Sequence, residues 1–317
     1  MHKHLSKSER CRIEIYLQEG FTISAIARKI GRQRSTIRDE ITRNSINGRY
    51  EADLAHELAI SRKIEQRSKV RTIDQALKNR VDECLKKLWS PEQISGALKL
   101  EGLQVSHEWI YQYIYRDKRQ GGERYKFLRR SGKKYKKRAS EAGRGCIKDR
   151  VDIDQRPSIV EEKSRVGDWE GDLVLGSHGS GAVVSLVERK TKLSKFRRIN
   201  HKTAAQTNLA IVDAFKSITA GMLLTLTFDN GKEFAWHKHI TNALGVDIYF
   251  AKPYHSWERG LNENTNGLLR QYLPKGSSFA DLTTEELLWI EDQLNDRPRK
   301  SLGYKTPRQA MEMALAG

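Results

Sequence analysis

The chain has 317 residues, of which 58 are Lys or Arg and 40 are Asp or Glu, so its net charge is +18. This length allows two or three domains with real cores, and the charge predicts a polyanionic partner. Three scattered cysteines exclude a disulfide framework. No apolar run approaches the ~18 residues of a membrane helix, and the first residues lack the hydrophobic core of a signal peptide.

The basic charge is concentrated in one segment. Residues 116–148 hold 14 Lys or Arg against 3 Asp or Glu, a net charge of +11. Residues 149–317 hold 23 against 22, a net charge of +1, which leaves +6 for residues 1–115. The second half of the chain is therefore nearly neutral, and the polyanion is expected to meet the protein upstream of it.

Residues 1–48 predict a helix-turn-helix domain, with helices over 8–19, 23–30 and 33–43. Ala27, Gly31 and Ile37 supply its small residue, turn glycine and core aliphatic. The basic start of the third helix would enter the major groove of DNA, where Arg and Gln make bidentate contacts with bases. The predicted DNA-binding side chains are Arg32, Gln33, Arg34, Ser35, Thr36 and Arg38. A three-helix bundle with a solvated polar face is the alternative, and the acidic Asp39 and Glu40 argue against base contacts beyond Arg38.

Residues 49–115 predict a helical connector and a second helix-turn-helix-like unit. Ser90, Pro91 and Gln93 form a helix start, with a cap, a first-turn proline and a capping-box partner. A further helix carries an aromatic stripe from Trp109 to Tyr115. Such a stripe packs in a core or contacts DNA, and the sequence leaves both interpretations open.

Residues 116–148 predict a basic flexible linker. Low hydrophobicity and charge of one sign argue against a packed core there. The alternative is a merely solvated segment, but a tether that follows DNA phosphates fits its place after a helix-turn-helix. Its predicted contacts are Arg129, Arg130, Lys133, Lys134, Lys136, Lys137 and Arg138.

Carboxylates stand at the ends of two predicted strands and on a later helix. An apolar strand over 223–228 ends in the turn sequence Asp229-Asn230-Gly231, and a strand over 167–175 contains Asp172. Glu263 follows Asp229 after 33 residues, within a predicted helix. Carboxylate oxygens are natural Mg²⁺ ligands, and two ions ~3.5–4 Å apart can activate an attacking oxygen and stabilise a leaving one.

The element order of residues 149–317 predicts an α/β fold. Three strands are followed by helix, strand, helix, strand and helix, which is the order of the ribonuclease H-like fold with its mixed five-stranded sheet. In that fold the strands of Asp172 and Asp229 are neighbours. The order therefore supports convergence of the carboxylates independently of any motif.

Three sequence blocks resemble transposases of the insertion sequence 30 family. They are Gly167-Asp168-Trp169-Glu170-Gly171-Asp172, Phe228-Asp229-Asn230-Gly231-Lys232-Glu233-Phe234 and residues 253–271, which include Leu261-Asn262-Glu263-Asn264-Thr265-Asn266-Gly267. The resemblance implies an integrase-type catalytic domain over 149–317 with the catalytic and metal-binding set Asp172, Asp229 and Glu263. It also implies two Mg²⁺ ions, with Mn²⁺ able to substitute, and terminal inverted repeats as substrate.

Other residues near the three carboxylates have less certain roles. Asp168 and Glu170 alternate with Asp172 and are interpreted as solvated or supporting acids. Arg259, Asn266 and Arg270 share a helix face with Glu263, where Arg270 could orient a carboxylate or hold phosphate. An ordinary surface ion pair is the alternative for both arginines. The predicted supporting or DNA-contacting residues are Glu170, Asn230, Arg259, Asn266 and Arg270.

The sequence thus predicts a transposase that cuts and joins double-stranded DNA at element ends and target. Because two element ends must be held together, we expect a homo-oligomer, at least a dimer. We expect the protein in the cytoplasm, associated with the nucleoid and not with a membrane. One alternative is a metal-dependent nuclease of the same fold, which cuts without joining. The other is a DNA-binding regulator derived from a transposase, against which the intact Asp172, Asp229 and Glu263 argue.

Overall fold

The computed structural model of the protein describes residues 4–68, 73–129, 147–216, 218–219, 221–252, 255 and 260–316. The chain divides into two compact units, Met1–Asp74 and Gln75–Gly317, and this division falls within the predicted 49–115 connector region. Across the described ranges, no helix combines the length and hydropathy that crossing a membrane requires.

The N-terminal unit is a small helical domain with one short hairpin. Its elements are α1 (Lys7–Gln18), α2 (Ile23–Ile30), α3 (Arg34–Asn44), β1 (Ser45–Ile46), β2 (Arg49–Tyr50) and α4 (Ala52–Ser68). Between α2 and α3, Gly31 has φ 74°, a left-handed conformation that glycine adopts without steric penalty. Ala27 and Ile37 are buried in the core beside it. The predicted helix-turn-helix is confirmed, and the hairpin is an element that the sequence analysis did not predict.

The C-terminal unit begins with three helices, α5 (Gln75–Lys86), α6 (Pro91–Leu100) and α7 (His107–Arg119). The predicted capping box of Ser90 and Gln93 starts α6, with both reciprocal hydrogen bonds formed. Ile110 and Ile114 of α7 face the interior, whereas Tyr111 and Tyr115 stack on each other at the surface. The isoleucines of the stripe therefore pack in the core and these two tyrosines are exposed, while DNA contact by α7 stays a prediction.

The beginning of the predicted linker is folded. After α7, a 3-10 helix covers Arg124–Phe127, and the Arg124 guanidinium donates to both carboxylate oxygens of Asp82 at 2.7 Å. It also pairs with Asp117 and lies over the Tyr113 ring, 4.5 Å from its centroid. These bidentate and ring contacts order 116–129 although its composition favours flexibility. Residues 130–146 of the predicted linker lie outside the described residues.

A mixed five-stranded sheet forms the centre of this unit. Its strands are β3 (Asp168–Leu175), β4 (Ala182–Glu188), β5 (Ser194–Ile199), β6 (Thr225–Phe228) and β7 (Asp247–Phe250). They lie in the order β5-β4-β3-β6-β7, with β3, β4 and β5 antiparallel and β3, β6 and β7 parallel. This is the ribonuclease H-like arrangement, and the predicted fold class is confirmed.

Helices cover both faces of the sheet. The helices after α7 are α8 (Ser158–Glu162), α9 (Ala204–Phe215), α10 (His237–Leu244), α11 (Gly260–Leu269), α12 (Thr284–Asn295) and α13 (Pro307–Ala316). One core joins α9 and α10 to Trp169 and Phe228 of the sheet. The other joins α11 and α12 to Val174, Val183 and Phe196, on the opposite face. The second face is the one to which Glu170 and Asp172 belong, because side chains alternate along a strand.

The C-terminal segment after α12 holds α6 against the catalytic domain. Gln93 of α6 donates to the Pro298 carbonyl at 2.8 Å and accepts from Arg297 Nε at 2.9 Å. Gly96 of α6 is buried, and a Cβ at this position would overlap the Tyr304 ring. The three N-terminal helices of this unit are therefore fixed to the domain that carries the predicted active site.

The close approach of Gly96 and Tyr304 reverses the usual effect of a helical Gly→Ala substitution. Alanine normally stabilises a helix interior by about 1 kcal/mol over glycine. Here the methyl group must displace a packed ring, so Gly96→Ala is expected to destabilise the unit by about 1–3 kcal/mol, measured by urea unfolding. In a Tyr304→Ala background the same substitution should be neutral or stabilising. Stabilisation by Gly96→Ala in the wild-type background would contradict this packing.

Candidate active site

The strand register places Asp172 beside Asp229. β3 and β6 are parallel, and their paired residues run to Glu170 opposite Thr227. Continued by two residues, the register sets Asp172 opposite Asp229, on strands about 4.8 Å apart. Four residues earlier, on the same face, Thr225 Oγ1 donates to Asp168 Oδ1 at 2.8 Å, so side chains of the two strands do meet there. The register therefore brings the chain at Asp172 close to the chain at Asp229, just past the end of β6.

Helix α11 covers the face of β3 that carries Asp172. Asn266 Nδ2 donates to Asp172 Oδ2 at 2.8 Å, and the Leu173 backbone N–H donates to Asp172 Oδ1 at 2.9 Å. Both oxygens of this carboxylate therefore accept a hydrogen bond. The amide of Asn266 fixes the orientation of Asp172 and ties α11 to the strand.

Asp229 and Glu263 reach the same region from different elements. Asp229 Oδ1 accepts from the Gly231 backbone N–H at 2.9 Å, as in an Asx-turn. Glu263 is exposed in the first turn of α11, three residues before Asn266 and hence on the same helix face. Throughout the part of the chain that the structure describes, no three His, Cys, Asp or Glu side chains are placed to hold one metal ion. Glu263 lies on the helix that covers the Asp172 face of β3, and the three carboxylates do not form such a ligand group here.

Glu170 is a buried anchor. It is 1% exposed, and Oε1 accepts from Arg189 Nη1 at 2.6 Å, while Oε2 accepts from the Asn262 backbone N–H at 3.2 Å. Asp168 is also buried, and its carboxylate pairs with Arg165 at 2.9 Å. Burial removes the solvated interpretation for both acids. Glu170 instead links β3 to the start of α11, next to Asp172.

The other predicted supporting residues have structural partners. Asn230 is buried, donates to the Ala251 carbonyl at 2.5 Å and accepts from Arg150. Arg270 donates to the carbonyls of Leu175 at 2.8 Å and Leu273 at 3.3 Å, so it fixes the end of β3 to the turn after α11. Arg259 lies outside the described residues.

Two further side chains that could bind a metal, Glu233 and His237, have other partners. Glu233 is buried and pairs with Lys202 at 3.1 Å. His237 is buried against Phe250, and its Nε2 lies 3.3 Å from the Asp149 carbonyl. Glu258, an acid close in sequence to Glu263, lies outside the described residues.

Asn262 is a residue that the sequence analysis did not single out. Its side chain is 1% exposed, and neither amide atom has a hydrogen-bond partner among the described residues; the same holds for Asn266 Oδ1. A buried amide without partners is costly. The sequence signal that could have identified Asn262 is its spacing of four residues from Asn266, which places both side chains on the sheet-facing side of α11.

Helix α3 presents most of its predicted DNA-binding side chains to solvent. Exposed residues at its start are Gln33, Arg34, Ser35, Thr36 and Arg38. Arg32 is instead half-buried, and its Nε donates to Glu9 at 2.9 Å. The Arg32 guanidinium, together with the Ser6 backbone, lowers the pKa of Glu9 to about 2. Arg32 therefore joins α1 to the turn before α3, whereas Arg34 and Arg38 lie on the open surface.

The acidic side chains of Asp39 and Glu40 point in different directions from α3. Glu40 turns inward, where Arg10 Nε donates to it at 2.6 Å and Asn44 Nδ2 at 2.7 Å. Arg10 is 5% exposed, so this ion pair belongs to the core of the domain. Asp39 remains outside and pairs with Arg38 at 3.2 Å.

Of the predicted phosphate contacts in the basic segment, Arg129 is the one that lies among the described residues. Arg129 lies against Gly267 of α11. Arg130, Lys133, Lys134, Lys136, Lys137 and Arg138 are outside the described residues.

Comparison with known proteins identifies the family. A family model described as a helix-turn-helix domain matches residues 1–44. The transposase for insertion sequence element IS4351 of Bacteroides fragilis is 45% identical and covers 99% of this chain and 97% of its own. The transposase InsI for insertion sequence element IS30C of Escherichia coli K12 is 38% identical and covers 99% and 84%.

Among solved structures, the catalytic core domain of BIV integrase is similar over 47% of this chain and 96% of its own, with 22% identity and a TM-score of 0.36. The fold assignment rests on the strand order found here and not on that likeness. The matching relatives, by contrast, extend over almost the whole sequence. The chain belongs to the insertion sequence 30 family of transposases.

Proposed function

We propose that the protein binds the terminal inverted repeats of its insertion sequence and catalyses cleavage and strand transfer of DNA with divalent metal ions. One observation supports this proposal above the others: the β3–β6 register, continued two residues past its last pair, would bring Asp172 close to Asp229, and the helix that bears Glu263 covers the same face of β3. In a family of transposases, carboxylates gathered at such an edge support phosphoryl transfer.

The proposed ligand set fits a hard divalent cation. Asp172, Asp229 and Glu263 offer only carboxylate oxygens, which suit Mg²⁺ or Mn²⁺, whereas soft or borderline metals prefer Cys and His. When bound, two such ions would supply activation of the attacking oxygen and stabilisation of the leaving oxygen. Since Asp172 Oδ2 accepts from Asn266, that hydrogen bond would hold the orientation of the carboxylate when a cation is bound.

The reaction proposed is in-line displacement at phosphorus. In cleavage, a water oxygen forms the new P–O bond and the 3′ oxygen of the element end leaves with the bonding electrons and gains a proton. In joining, that 3′-hydroxyl attacks a target phosphodiester and a target 3′ oxygen leaves. Each step exchanges one P–O bond for another, so no covalent enzyme intermediate is required.

The protein's own contribution is to position the carboxylates and the DNA. The buried Glu170–Arg189 pair and the Asn262 backbone hold β3 and α11 in register. The exposed start of α3 would read the element ends through Arg34 and Arg38. Because two ends have to be joined in one complex, we propose a homo-oligomer, at least a dimer, that works at the nucleoid in the cytoplasm.

A strand-transfer assay tests this function. Oligonucleotides copied from the DNA that flanks the gene would be incubated with the protein and Mg²⁺, or with a chelator. Glu263→Gln, which removes a charge while nearly keeping shape, is run alongside. We expect joined product that depends on the metal and is lost in the variant.

Other outcomes separate the alternatives. Metal-dependent cutting without joining would indicate a nuclease and overturn the transfer step. Specific binding of the flanking DNA without cutting or joining would indicate a regulator. Full joining by Glu263→Gln would remove Glu263 from the proposed ligand set.

Substitution of two arginines at the start of α3 tests recognition of the element ends. Arg34 is exposed at the start of α3, whereas Arg32 is paired with Glu9. Arg34→Ala is therefore expected to weaken binding of an end duplex about tenfold or more, since a base contact is worth about 1–3 kcal/mol. Arg32→Ala should change affinity less than about threefold, because its guanidinium serves the fold.

Fluorescence anisotropy with end and scrambled duplexes measures both variants. A loss confined to the end duplex assigns Arg34 to base contact, whereas an equal loss on both assigns it to phosphate. If the two variants lose affinity equally, or Arg34→Ala loses none, the proposed interface on α3 is wrong.

A further inference from the structure

A cationic cavity of about 660 Å³ lies beside the proposed active site in the C-terminal unit. Its walls come from the start of α6, the start of α11 and residues 297–301. Glu170 forms part of the wall, two residues from Asp172 on the same face of β3, which is about 6.6 Å along the strand. Volumes of this size are typical of ligand pockets.

The cavity carries more positive charge than its own residues balance. Seven of the lining residues are Lys or Arg and two are Glu, an excess of five positive charges. The two carboxylates, Glu161 and Glu170, are both bound by Arg189, at 3.0 and 2.6 Å. Arg156 also pairs with Glu161, so two guanidinium groups balance these two carboxylates. Of the other cations, Lys300 pairs with Glu92 at 2.6 Å. The excess charge therefore lies mainly with Lys163, Lys192, Arg297 and Arg299.

Two of those cations are buried with neutral acceptors. Arg297 is 2% exposed and donates to the side-chain oxygens of Gln93 and Gln271, at 2.9 and 2.7 Å. Arg299 is 6% exposed and donates to the Leu294 carbonyl at 2.9 Å. Among the described residues, neither guanidinium has a carboxylate partner, and Arg299 Nε is buried without any hydrogen-bond partner.

Buried positive charge without a counter-ion costs several kcal/mol. Burial, with repulsion from Arg297, lowers the pKa of Arg299 to about 9, and burial lowers the pKa of Arg297 to about 10. Both values remain above neutral pH, so both groups stay charged. Burial and the nearby Lys163 likewise lower the pKa of Lys192 in the same wall. An anion in the cavity would relieve this cost.

We propose that the cavity is a phosphate pocket that holds one backbone phosphate of the DNA strand bound at the active site. Guanidinium forks match phosphate oxygens in bidentate geometry, which favours phosphate over a smaller or softer anion. Each strand of duplex DNA carries one phosphate per ~3.4 Å of helix axis, so a strand bound at Asp172 extends across the ~6.6 Å to the wall formed by Glu170. The assignment of DNA as the source rests on the proposed function; the anion site itself does not.

The first test uses inorganic phosphate as the probe on the full chain. Sodium phosphate is expected to raise the Tm by several degrees over sodium chloride at equal ionic strength. Arg299→Gln and Lys192→Gln should lose this rise. Lys216→Gln, which removes an exposed cation at the end of α9, should keep it. Lys192 is only half-buried, so its side chain is easier to replace than that of Arg299. Lys192→Gln therefore provides the test if Arg299→Gln does not fold.

The second test identifies the source of the phosphate. End duplexes that carry one neutral methylphosphonate at successive positions are bound to each protein. At one position the methylphosphonate is expected to lower the affinity of the wild type about tenfold. The same methylphosphonate should not lower the affinity of Lys192→Gln or Arg299→Gln any further, as in a double-mutant cycle. The variants should also lower the slope of log affinity against log salt by about 0.9.

Each outcome is decisive. A phosphate-dependent Tm with no sensitive DNA position would assign the pocket to free phosphate or a nucleotide and overturn its DNA role. No phosphate effect and no sensitive position would overturn the pocket. Both tests can be run in an Asp229→Asn background, where joining is not needed. A failure of the catalytic proposal would then leave the pocket result standing.

Discussion

Arg189→Met is expected to destabilise the C-terminal unit by about 3–5 kcal/mol. Arg189 and Glu170 are each 1% exposed and are joined at 2.6 Å, so removal of the guanidinium leaves a carboxylate charged and buried. The Asn262 backbone N–H, which also donates to Glu170, is neutral and does not replace the lost charge. All six tryptophans lie in residues 75–317, so urea unfolding followed by tryptophan fluorescence reports this unit alone.

The double variant Glu170→Gln with Arg189→Met separates a buried charge from lost packing. It should recover a large part of the loss, because no uncompensated charge remains. Arg308→Met is the matched control, since Arg308 forms exposed pairs with Asp292 and Asp296 and should cost at most about 1 kcal/mol. Equal losses for Arg189→Met and Arg308→Met would show that the buried pair is not a main support of β3.

Local sequence signals accounted for much of the fold. The capping box at Ser90 starts α6 as predicted, and alternation along β3 placed its acidic residues on one face. These features depend on residues within one or two turns or strand steps, which is the range that sequence patterns report. The hairpin of β1 and β2 was overlooked although Asn47 and Gly48, both with positive φ, form a recognisable turn pair.

Long-range pairing explains what the sequence did not reveal. The sequence analysis grouped Glu40 with the DNA-facing side of α3. Its partner Arg10 lies 30 residues earlier in the chain, and this ion pair directs the Glu40 side chain into the core. Arg124 lies in a segment whose composition favours flexibility, yet Asp82, 42 residues earlier, holds it in place. Composition and periodicity carry no information on such partners.

The candidate site likewise combines features that local sequence patterns predict with features that depend on long-range contacts. The sequence placed Asp172 and Asp229 on neighbouring strands because strand order follows from element order. The burial of Glu170 depends on Arg189 from the far end of β4, and the unpartnered amide of Asn262 depends on how α11 lies on the sheet. Neither could be read from spacing alone.

Asp172→Asn and Asp229→Asn are each expected to slow strand transfer by about a thousandfold. The β3–β6 register, continued two residues past its last pair, would bring the two aspartates close together, and we propose that both contribute to one metal site. Loss of metal-supported stabilisation of the transition state amounts to several kcal/mol, and each 1.36 kcal/mol is a factor of ten. The rate of joined-product formation under single-turnover conditions measures the effect, with binding of the end duplex recorded as a folding control.

The double variant gives the sharper result. If both aspartates act through one site, Asp172→Asn with Asp229→Asn should be about as slow as either single variant, because groups that work as a unit are not additive. Glu233→Gln should stay within about tenfold of the wild type, since Glu233 is paired with Lys202. Multiplication of the two single losses would mean that the aspartates act independently, and a thousandfold loss in Glu233→Gln would move the metal site from the β3–β6 edge toward the turn after β6.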